Sequence, residues 1–279
     1  VLVFLIMFMY GSAYPIGKLG TNELPPLLMG SLRVLILFIF ILPFFKYKVP
    51  KKKFLNLIFF SISMGFFVYG FLYLSISYSS LISPIIIGAQ LSIPIGLILS
   101  LVLLNEHISL RKWALVLLSF IGVLIVSYDP RFADEIIAFI FVLLMSFFYA
   151  LSNILSRFLK EIDTITQIGW HSIIGFILLA SLSLLYEGNP TNHFRSLNNI
   201  AVFSIIHAAI ISLIGHGGMF YLYKFYPVSK VLPFYSLFPI FGIFLTFVIL
   251  TEIPGPYEIL GGSIVIVSIF LIHLDNKKY

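Results

Sequence analysis

Ten long runs of apolar residues, each bounded by charged residues, proline or glycine, constrain the fold of this chain more than any other feature. A helix that crosses the hydrocarbon core of a bilayer needs about 20 such residues, and its backbone groups must pair within the helix. The predicted spans are residues 1–19, 27–45, 54–75, 82–104, 113–128, 136–156, 165–186, 200–223, 231–250 and 259–274. The sequence therefore predicts an all-α integral membrane protein with ten transmembrane helices in one compact bundle.

The composition agrees with a membrane protein. Hydrophobic residues make up 60% of the 279 residues and charged residues only 10%, whereas soluble domains carry about 25% charge. The chain has no cysteine, which excludes disulfides, thiolate metal sites and cysteine nucleophiles. The first apolar run has neither a basic leader nor a cleavage site of small residues, so we expect it to be a retained helix rather than a signal peptide.

Basic residues are distributed unequally between the loops. Of the 17 Lys and Arg residues, 13 fall in loops on one side, three (Lys18, Arg131 and Arg195) fall on the other, and Arg33 lies within a span. Because cytoplasmic loops keep an excess of Lys and Arg, both termini are predicted to face the cytoplasm. The membrane therefore accounts for the net charge of +6, and we expect no nucleic-acid partner because no aromatic and basic platform accompanies the lysines.

The two halves of the chain are similar to each other. The fourth and ninth spans share seven identities in 24 positions at an offset of 146, and they end at Glu106 and Glu252. At an offset of 139, Tyr10 aligns with Tyr149, and a cation follows eight residues later in each copy. Because five spans is an odd number, the two copies insert with opposite orientation, an arrangement that recurs in carriers. The predicted inverted five-helix repeats are residues 1–130 and 131–279.

Several motifs carry a resemblance to a known family. In chain order they are Tyr10-Gly11 before Lys18, Pro25-Pro26, Leu32-Arg33, Gln90, Glu106, Gly122, Asn153, Gly215-His216-Gly217, Lys230, Pro233, Pro239 and Glu252. Over nearly the whole chain they resemble the drug/metabolite transporter (DMT) superfamily, specifically its ten-helix EamA-type exporters, and are most similar to exporters of O-acetylserine and cysteine. Tyr10 and Tyr149 stand where the family has tryptophan, and His216 stands where it can have tyrosine, which leaves a different amino-acid-like substrate open.

The resemblance implies a secondary carrier of the bacterial inner membrane that exports amino acids or related small metabolites by alternating access. Two alternatives stay open: an importer or exchanger of a larger zwitterion such as S-adenosylmethionine, and a pore or structural membrane subunit. The sequence has no G-x-x-x-x-G-K-[ST] or H-E-x-x-H motif and no G-x-S-x-G elbow. We therefore expect neither an enzyme nor a bound metal or cofactor, and the expected partners are a small-molecule substrate and the lipid bilayer.

Arg33 and His171 are the leading candidate site residues. A charge within an apolar span costs at least about 2.5 to 3.5 kcal/mol on insertion scales, so Arg33 is predicted to face a cavity and bind a substrate carboxylate through two parallel hydrogen bonds. The alternative is an anchor that snorkels to the outer interface. His171 occupies roughly the matching place in the second copy and is predicted to oppose Arg33 and to couple export to protons. The alternative is a hydrogen-bonded interfacial histidine beside Trp170.

Further polar side chains are predicted to line the same cavity. They are Tyr10, Tyr14, Gln90, Tyr149, Asn153 and His216; hydrogen bonding between neighbouring helices is the alternative role for such residues. Glu106 and Glu252 follow long apolar runs, so we interpret them as caps of helix amides or partners of nearby cations. A role for these two carboxylates in gating is the alternative.

Overall fold

The computed structural model describes residues 2–105, 109–131, 135–195, 197–227, 231 and 237–275, and every regular element among them is helical. Glu106, Lys230 and Pro233 lie outside the described residues. The helices, numbered in chain order, are α1 Leu2–Glu23, α2 Pro26–Phe44, α3 Lys51–Ser77, α4 Ser83–Leu104, α5 Leu110–Ser127, α6 Ile136–Phe158, α7 Thr164–Tyr186, α8 Thr191–Arg195, α9 Asn199–Phe225, α10 Phe238–Leu250 and α11 Pro256–Asp275.

Helix length and composition agree with a membrane-spanning bundle. In the described part of the chain, seven helices (α2 to α7 and α9) are long and apolar enough to cross a membrane, and α10 and α11 contain shorter apolar helices. The all-α prediction is confirmed; the count of ten spans and the two inverted repeats stay predictions. Helix ends differ from the predicted ones by a few residues. For example, α3 begins three residues early, at Lys51, because lysine is a good helix former and needs no apolar surroundings at a helix end.

Three of the helices are irregular near their middles. Helix α3 contains a π-helical turn at Ile62–Val68, and α9 contains one at Ser212–His216. Helix α4 has a short 3-10 stretch at Ala89–Leu91, between Pro84 and Pro94, because a proline within a helix removes a backbone donor and disturbs the preceding turn. Such turns concentrate at functional sites, and all three lie at the level of the central cavity described below.

Close backbone contact joins several helix pairs. The most extensive contacts are those between α3 and α6, between α5 and α11, and between α4 and α6. At Gly11 in α1, an added Cβ would lie 2.6 Å from the backbone nitrogen of Gly242 in α10. Small residues permit this approach in membrane helices, where packing rather than the hydrophobic effect drives association. Residues of α2, α3, α4, α6 and α9 supply most of the remaining wall of the cavity.

An ion pair holds the loop between α5 and α6. The Arg131 guanidinium donates to both carboxylate oxygens of Asp129, at 3.1 Å and 2.8 Å, and lies 3.2 Å from Glu258 at the start of α11. These hydrogen bonds lower the pKa of Asp129 below its usual value and raise that of Arg131. The loop is thereby tied to the first turn of α11.

Candidate functional site

A central cavity lies where α1, α2, α3, α4, α6, α9 and α10 meet. Its volume is about 50 Å³, which is room for a few waters in this conformation. The lining residues are Tyr10, Ala13, Tyr14, Arg33, Val68, Tyr69, Leu72, Ala89, Ser92, Met145, Tyr149, Ile211, His216 and Phe238. The wall is thus largely aromatic and aliphatic, with one cation.

Arg33 supplies that cation. Its side chain projects from α2 and is 1% exposed, so it does not extend to the surface, and an interfacial anchor does not fit this position. Nε donates to the Ser212 hydroxyl at 2.8 Å, and Nη1 donates to the Tyr73 hydroxyl at 3.4 Å. The guanidinium carbon lies 4.2 Å from the centre of the Tyr69 ring, a cation–π contact that is strongest when desolvated.

The two π-helical turns position the groups that hold Arg33. Tyr69 follows directly after the π turn of α3, and Ser212 begins the π turn of α9. The Tyr69 hydroxyl also donates to Ser212 at 3.3 Å and lies 3.4 Å from Nδ1 of His216. The wider turns therefore bring an aromatic face, a hydroxyl and an imidazole to one guanidinium.

Tyr10, Tyr149 and His216 form an aromatic group in the wall of the cavity. The ring centres of Tyr10 and Tyr149 lie 4.9 Å and 5.7 Å from that of His216. The Tyr149 hydroxyl donates to the Tyr10 hydroxyl at 3.4 Å, so α1 and α6 meet through the two aligned tyrosines. The Tyr14 ring, one turn along α1, stacks on Phe238 at 5.7 Å with an interplanar angle of 4°.

Three of the predicted cavity residues lie outside the lining. Gln90 is buried in the 3-10 stretch of α4, and Asn153 is buried on α6, one turn beyond Tyr149. His171 on α7 is fully buried, and its ring centre lies 6.0 Å from that of Tyr69, so His171 and Arg33 both contact this tyrosine. An added Cβ at Gly65 would lie 2.1 Å from the His171 carbonyl oxygen, which shows how closely α7 approaches α3 here.

Asn153 and His171 are both buried polar side chains. Neither amide atom of Asn153 has a hydrogen-bond partner among the described residues, whereas the His171 ring is in reach of the backbone of Gln167, one turn earlier on α7. Buried polar atoms are nearly always paired with protein or water, so the position of Asn153 is suited to internal water.

Glu252 caps a helix. Its two carboxylate oxygens accept hydrogen bonds from the backbone amides of Ile82 and Ser83, both at 2.7 Å, at the start of α4. Glu187 does the same for Leu27 and Leu28 at the start of α2. This geometry agrees with the structural role predicted for Glu252, because a carboxylate stabilises the amides of a helix amino terminus. Glu106, its counterpart, lies outside the described residues.

Two cations hold the carboxyl ends of α3 and α9. The Lys18 ammonium of α1 donates to the carbonyl oxygens of Ile76 at 3.2 Å and Ser79 at 2.6 Å. The Arg157 guanidinium of α6 donates to the carbonyl oxygens of Tyr223 and Lys224. We call these the Lys18 contact and the Arg157 contact. They lie two turns beyond Tyr10 and Tyr149, so one contact lies on each side of the cavity.

Sequence reasoning missed several residues that line the cavity or contact Arg33. Tyr69 and Tyr73 support the guanidinium, and Phe238 and Met145 complete the wall, but all four read as ordinary apolar residues of their spans. The spacing of four between Tyr69 and Tyr73 puts two hydroxyls on one helix face, which was the available signal. No group of three or more metal-binding side chains is present in the part of the chain that the structure describes.

Comparison with known proteins gives a consistent result. A sequence profile described as the EamA-like transporter family matches residues 1–128 and 136–274. A protein of Escherichia coli (strain K12) named "Probable amino-acid metabolite efflux pump" is 22% identical over 97% of this chain and 93% of its own length. An "Uncharacterized transporter in sor 3'region" of Acidianus ambivalens is 29% identical over 72% of this chain and 76% of its own length. A solved crystal structure with 14% sequence identity superposes with a TM-score of 0.72 over 99% of this chain and 98% of that one.

Proposed function

Because the chain belongs to the EamA-like transporter family and is a multi-pass integral membrane protein, we propose that it is a secondary carrier that exports amino acids or related small metabolites by alternating access. Its similarity to proteins named as probable amino-acid metabolite efflux pumps supports the direction and the substrate class. Membership in a transporter family argues against a catalytic role. The bacterial inner membrane, with both termini in the cytoplasm, is the location that the distribution of basic residues supports.

Arg33 is the observation that carries the proposed binding site. In the described part of the chain, the ion pairs within 4.0 Å involve other residues, and the hydrogen-bond partners of Arg33 are two neutral hydroxyls. A buried charge without a counter-charge is costly, and an intramembrane cation usually marks a substrate path. A substrate carboxylate at the cavity would supply the negative charge and match the planar donor geometry of the guanidinium.

The inverted repeats, residues 1–130 and 131–279, are part of the proposal. Matching features support them. The Lys18 contact and the Arg157 contact stand at the same offset as Tyr10 and Tyr149, and each closes the end of a helix that contains a π turn. In each half, the helix that precedes Glu106 or Glu252 ends at a non-glycine residue with positive φ, Asn105 at 53° and Thr251 at 56°.

Alternating access then has a simple form. The cavity lies between the two cationic contacts, both of which are formed in this conformation. Opening to the outside requires that the Lys18 contact breaks, and opening to the cytoplasm requires that the Arg157 contact breaks, because each contact joins helices that must separate. His171 is the proposed site of proton coupling, since its ring contacts Tyr69, the same side chain whose ring packs against the Arg33 guanidinium.

Export assays test this function. Cells expressing the wild type, Arg33→Gln or the surface control Arg195→Gln at matched membrane levels are compared by mass spectrometry of the medium. We expect wild type and control to enrich an amino-acid-class metabolite outside the cell, and Arg33→Gln to lose this enrichment. Enrichment by all three proteins would remove Arg33 from the site, and uptake of the same compounds instead of export would favour the importer. A flat pH dependence in both wild type and His171→Gln would remove proton coupling.

A further inference from the structure

Among the described residues, acidic side chains are absent from the depth of the membrane at which the cavity lies. Of the 11 Asp and Glu residues, Glu106 and Asp134 fall in the stretches between helices that the structure does not describe. The other nine lie in loops or in the first or last turn of a helix. They are Glu23, Asp129, Glu135, Glu161, Asp163, Glu187, Glu252, Glu258 and Asp275. Within the ranges that the structure describes, no carboxylate of a helix interior is therefore available to neutralise a positive group on a bound substrate.

Several ring faces in the wall, which could otherwise attract a cation, are already covered. Arg33 itself lies over the Tyr69 ring, 4.2 Å from its centre. The Tyr14 ring is stacked on Phe238, so each of these two rings has one face covered by the other. The quadrupole of an aromatic face attracts ammonium groups. Here the Tyr69 ring already contacts the Arg33 guanidinium, and the rings of Tyr14 and Phe238 contact each other.

We propose that this site selects its substrates by net charge: it accepts a carboxylate whose remaining part is uncharged and apolar, binds a zwitterion of the same shape more weakly, and rejects a cation. This inference rests on the proposed function, in which Arg33 receives the substrate carboxylate. A monoanion neutralises Arg33, and the occupied cavity carries no net charge. A zwitterion leaves its ammonium in the same apolar enclosure, where a buried charge must be paired to be tolerated.

Hydroxyl groups in the cavity wall reduce the difference in binding between an anion and a zwitterion, but they do not remove it. Ser92 and the tyrosines of the wall can accept hydrogen bonds from an ammonium, but they bring no compensating charge. A repulsive interaction between the ammonium and Arg33 also remains, and it acts across a low-dielectric cavity. Compounds that carry a further positive charge, such as the sulfonium of S-adenosylmethionine, fit this site least well, which argues against that alternative substrate.

Three compounds with one skeleton test the proposal: 3-phenylpropanoate, phenylalanine and 2-phenylethylamine, whose net charges at pH 7 are negative, zero and positive. Binding to the purified protein in nanodiscs is measured by calorimetry. We expect 3-phenylpropanoate to bind at least about tenfold more tightly than phenylalanine, a difference that corresponds to about 1.4 kcal/mol, and 2-phenylethylamine to show no saturable binding. The same order is expected for 4-methylpentanoate, leucine and 3-methylbutylamine, which control for the shape of the apolar part.

Variants of Arg33 test whether its guanidinium causes this order of binding affinities. Arg33→Gln is expected to remove the preference for the anion, whereas Arg195→Gln keeps it, and thermal unfolding curves verify that both variants are folded. Equal or tighter binding of phenylalanine, saturable binding of the amine, or no binding in either series would overturn the proposal. If the protein binds anions selectively but exports nothing, the carrier function is refuted and the charge selectivity stands. If it exports zwitterions but the expected order of affinities is absent, the charge selectivity is refuted and the carrier function stands.

Discussion

Breaking the Lys18 contact should open the protein towards one side only. Lys18→Gln removes a cation that donates to two carbonyl oxygens at the end of α3. Hydrogen bonds to charged groups contribute about 1.5–3 kcal/mol each when buried, but Lys18 is only half-buried, and solvent screens such interactions. A total of about 1–2 kcal/mol is therefore a reasonable magnitude, and its loss shifts the closed-to-open ratio about 5- to 30-fold.

Cysteine labelling measures this shift, because the chain has no cysteine of its own. Ser92→Cys places one thiol in the wall of the cavity, where Ser92 is buried. A membrane-impermeant maleimide is added to vesicles of either orientation. With Lys18→Gln we expect faster labelling from the outside, and with Arg157→Gln we expect faster labelling from the cytoplasmic side.

The exposed Lys48→Gln is the matched control and should label like the unaltered background. If both cavity-flanking variants label at the rate of the control, the two contacts do not close the cavity. If both accelerate labelling from the same side, they do not act as opposing closures, and the inverted arrangement loses its support.

Three further predictions concern stability. Glu252→Gln should lower the free energy of unfolding by about 1 kcal/mol, since it weakens a helix cap, and thermal unfolding in detergent would show this, with unchanged export per folded molecule. Gly65→Ala should abolish membrane accumulation, because its Cβ would strike a backbone oxygen; Gly70→Ala, which would meet only a side-chain carbon at 3.2 Å, should accumulate normally. Asp129, whose pKa is lowered by Arg131, stabilises the fold at neutral pH, and this contribution is lost as pH falls through the folded pKa. The unfolding temperature of the wild type should thus fall more steeply than that of Asp129→Asn below about pH 4, and parallel curves would contradict the reasoning.

Helix positions could be predicted from the sequence better than helix rotations. Apolar runs of the right length located the helices to within a few residues because lipid demands a closed hydrogen-bonded backbone. A helix that is apolar on every face gives no periodic signal for the side that faces the cavity. Gln90 and Asn153 were therefore predicted to line the cavity, but they do not. Tyr69 does line it and was not predicted to, because nothing in the sequence distinguishes it from other aromatic residues of its helix.

Charged residues were the more reliable guides. Arg33 was predicted in the cavity from its cost in lipid alone, and it lies there. The partners of the capping carboxylates could not be predicted from the sequence. The Glu187 carboxylate accepts hydrogen bonds from the amides of Leu27 and Leu28, which are 160 and 159 positions away and are brought close only by the packing of the helices. The π turns that position Tyr69 and Ser212 also rotate the side chains that follow them around the helix axis. A projection based on a regular α-helix therefore assigns these side chains to the wrong face.

The π-helical turns have a consequence for comparing relatives. A π turn closes its hydrogen bond over one residue more than an α turn, so a relative with a regular helix at Ile62–Val68 or Ser212–His216 needs one residue fewer to place the same side chains in register. An alignment of such relatives should then show single-residue gaps inside apolar helices rather than in loops. The position of that gap would identify, from sequence alone, which relatives build the same pair of widened turns around their buried arginine.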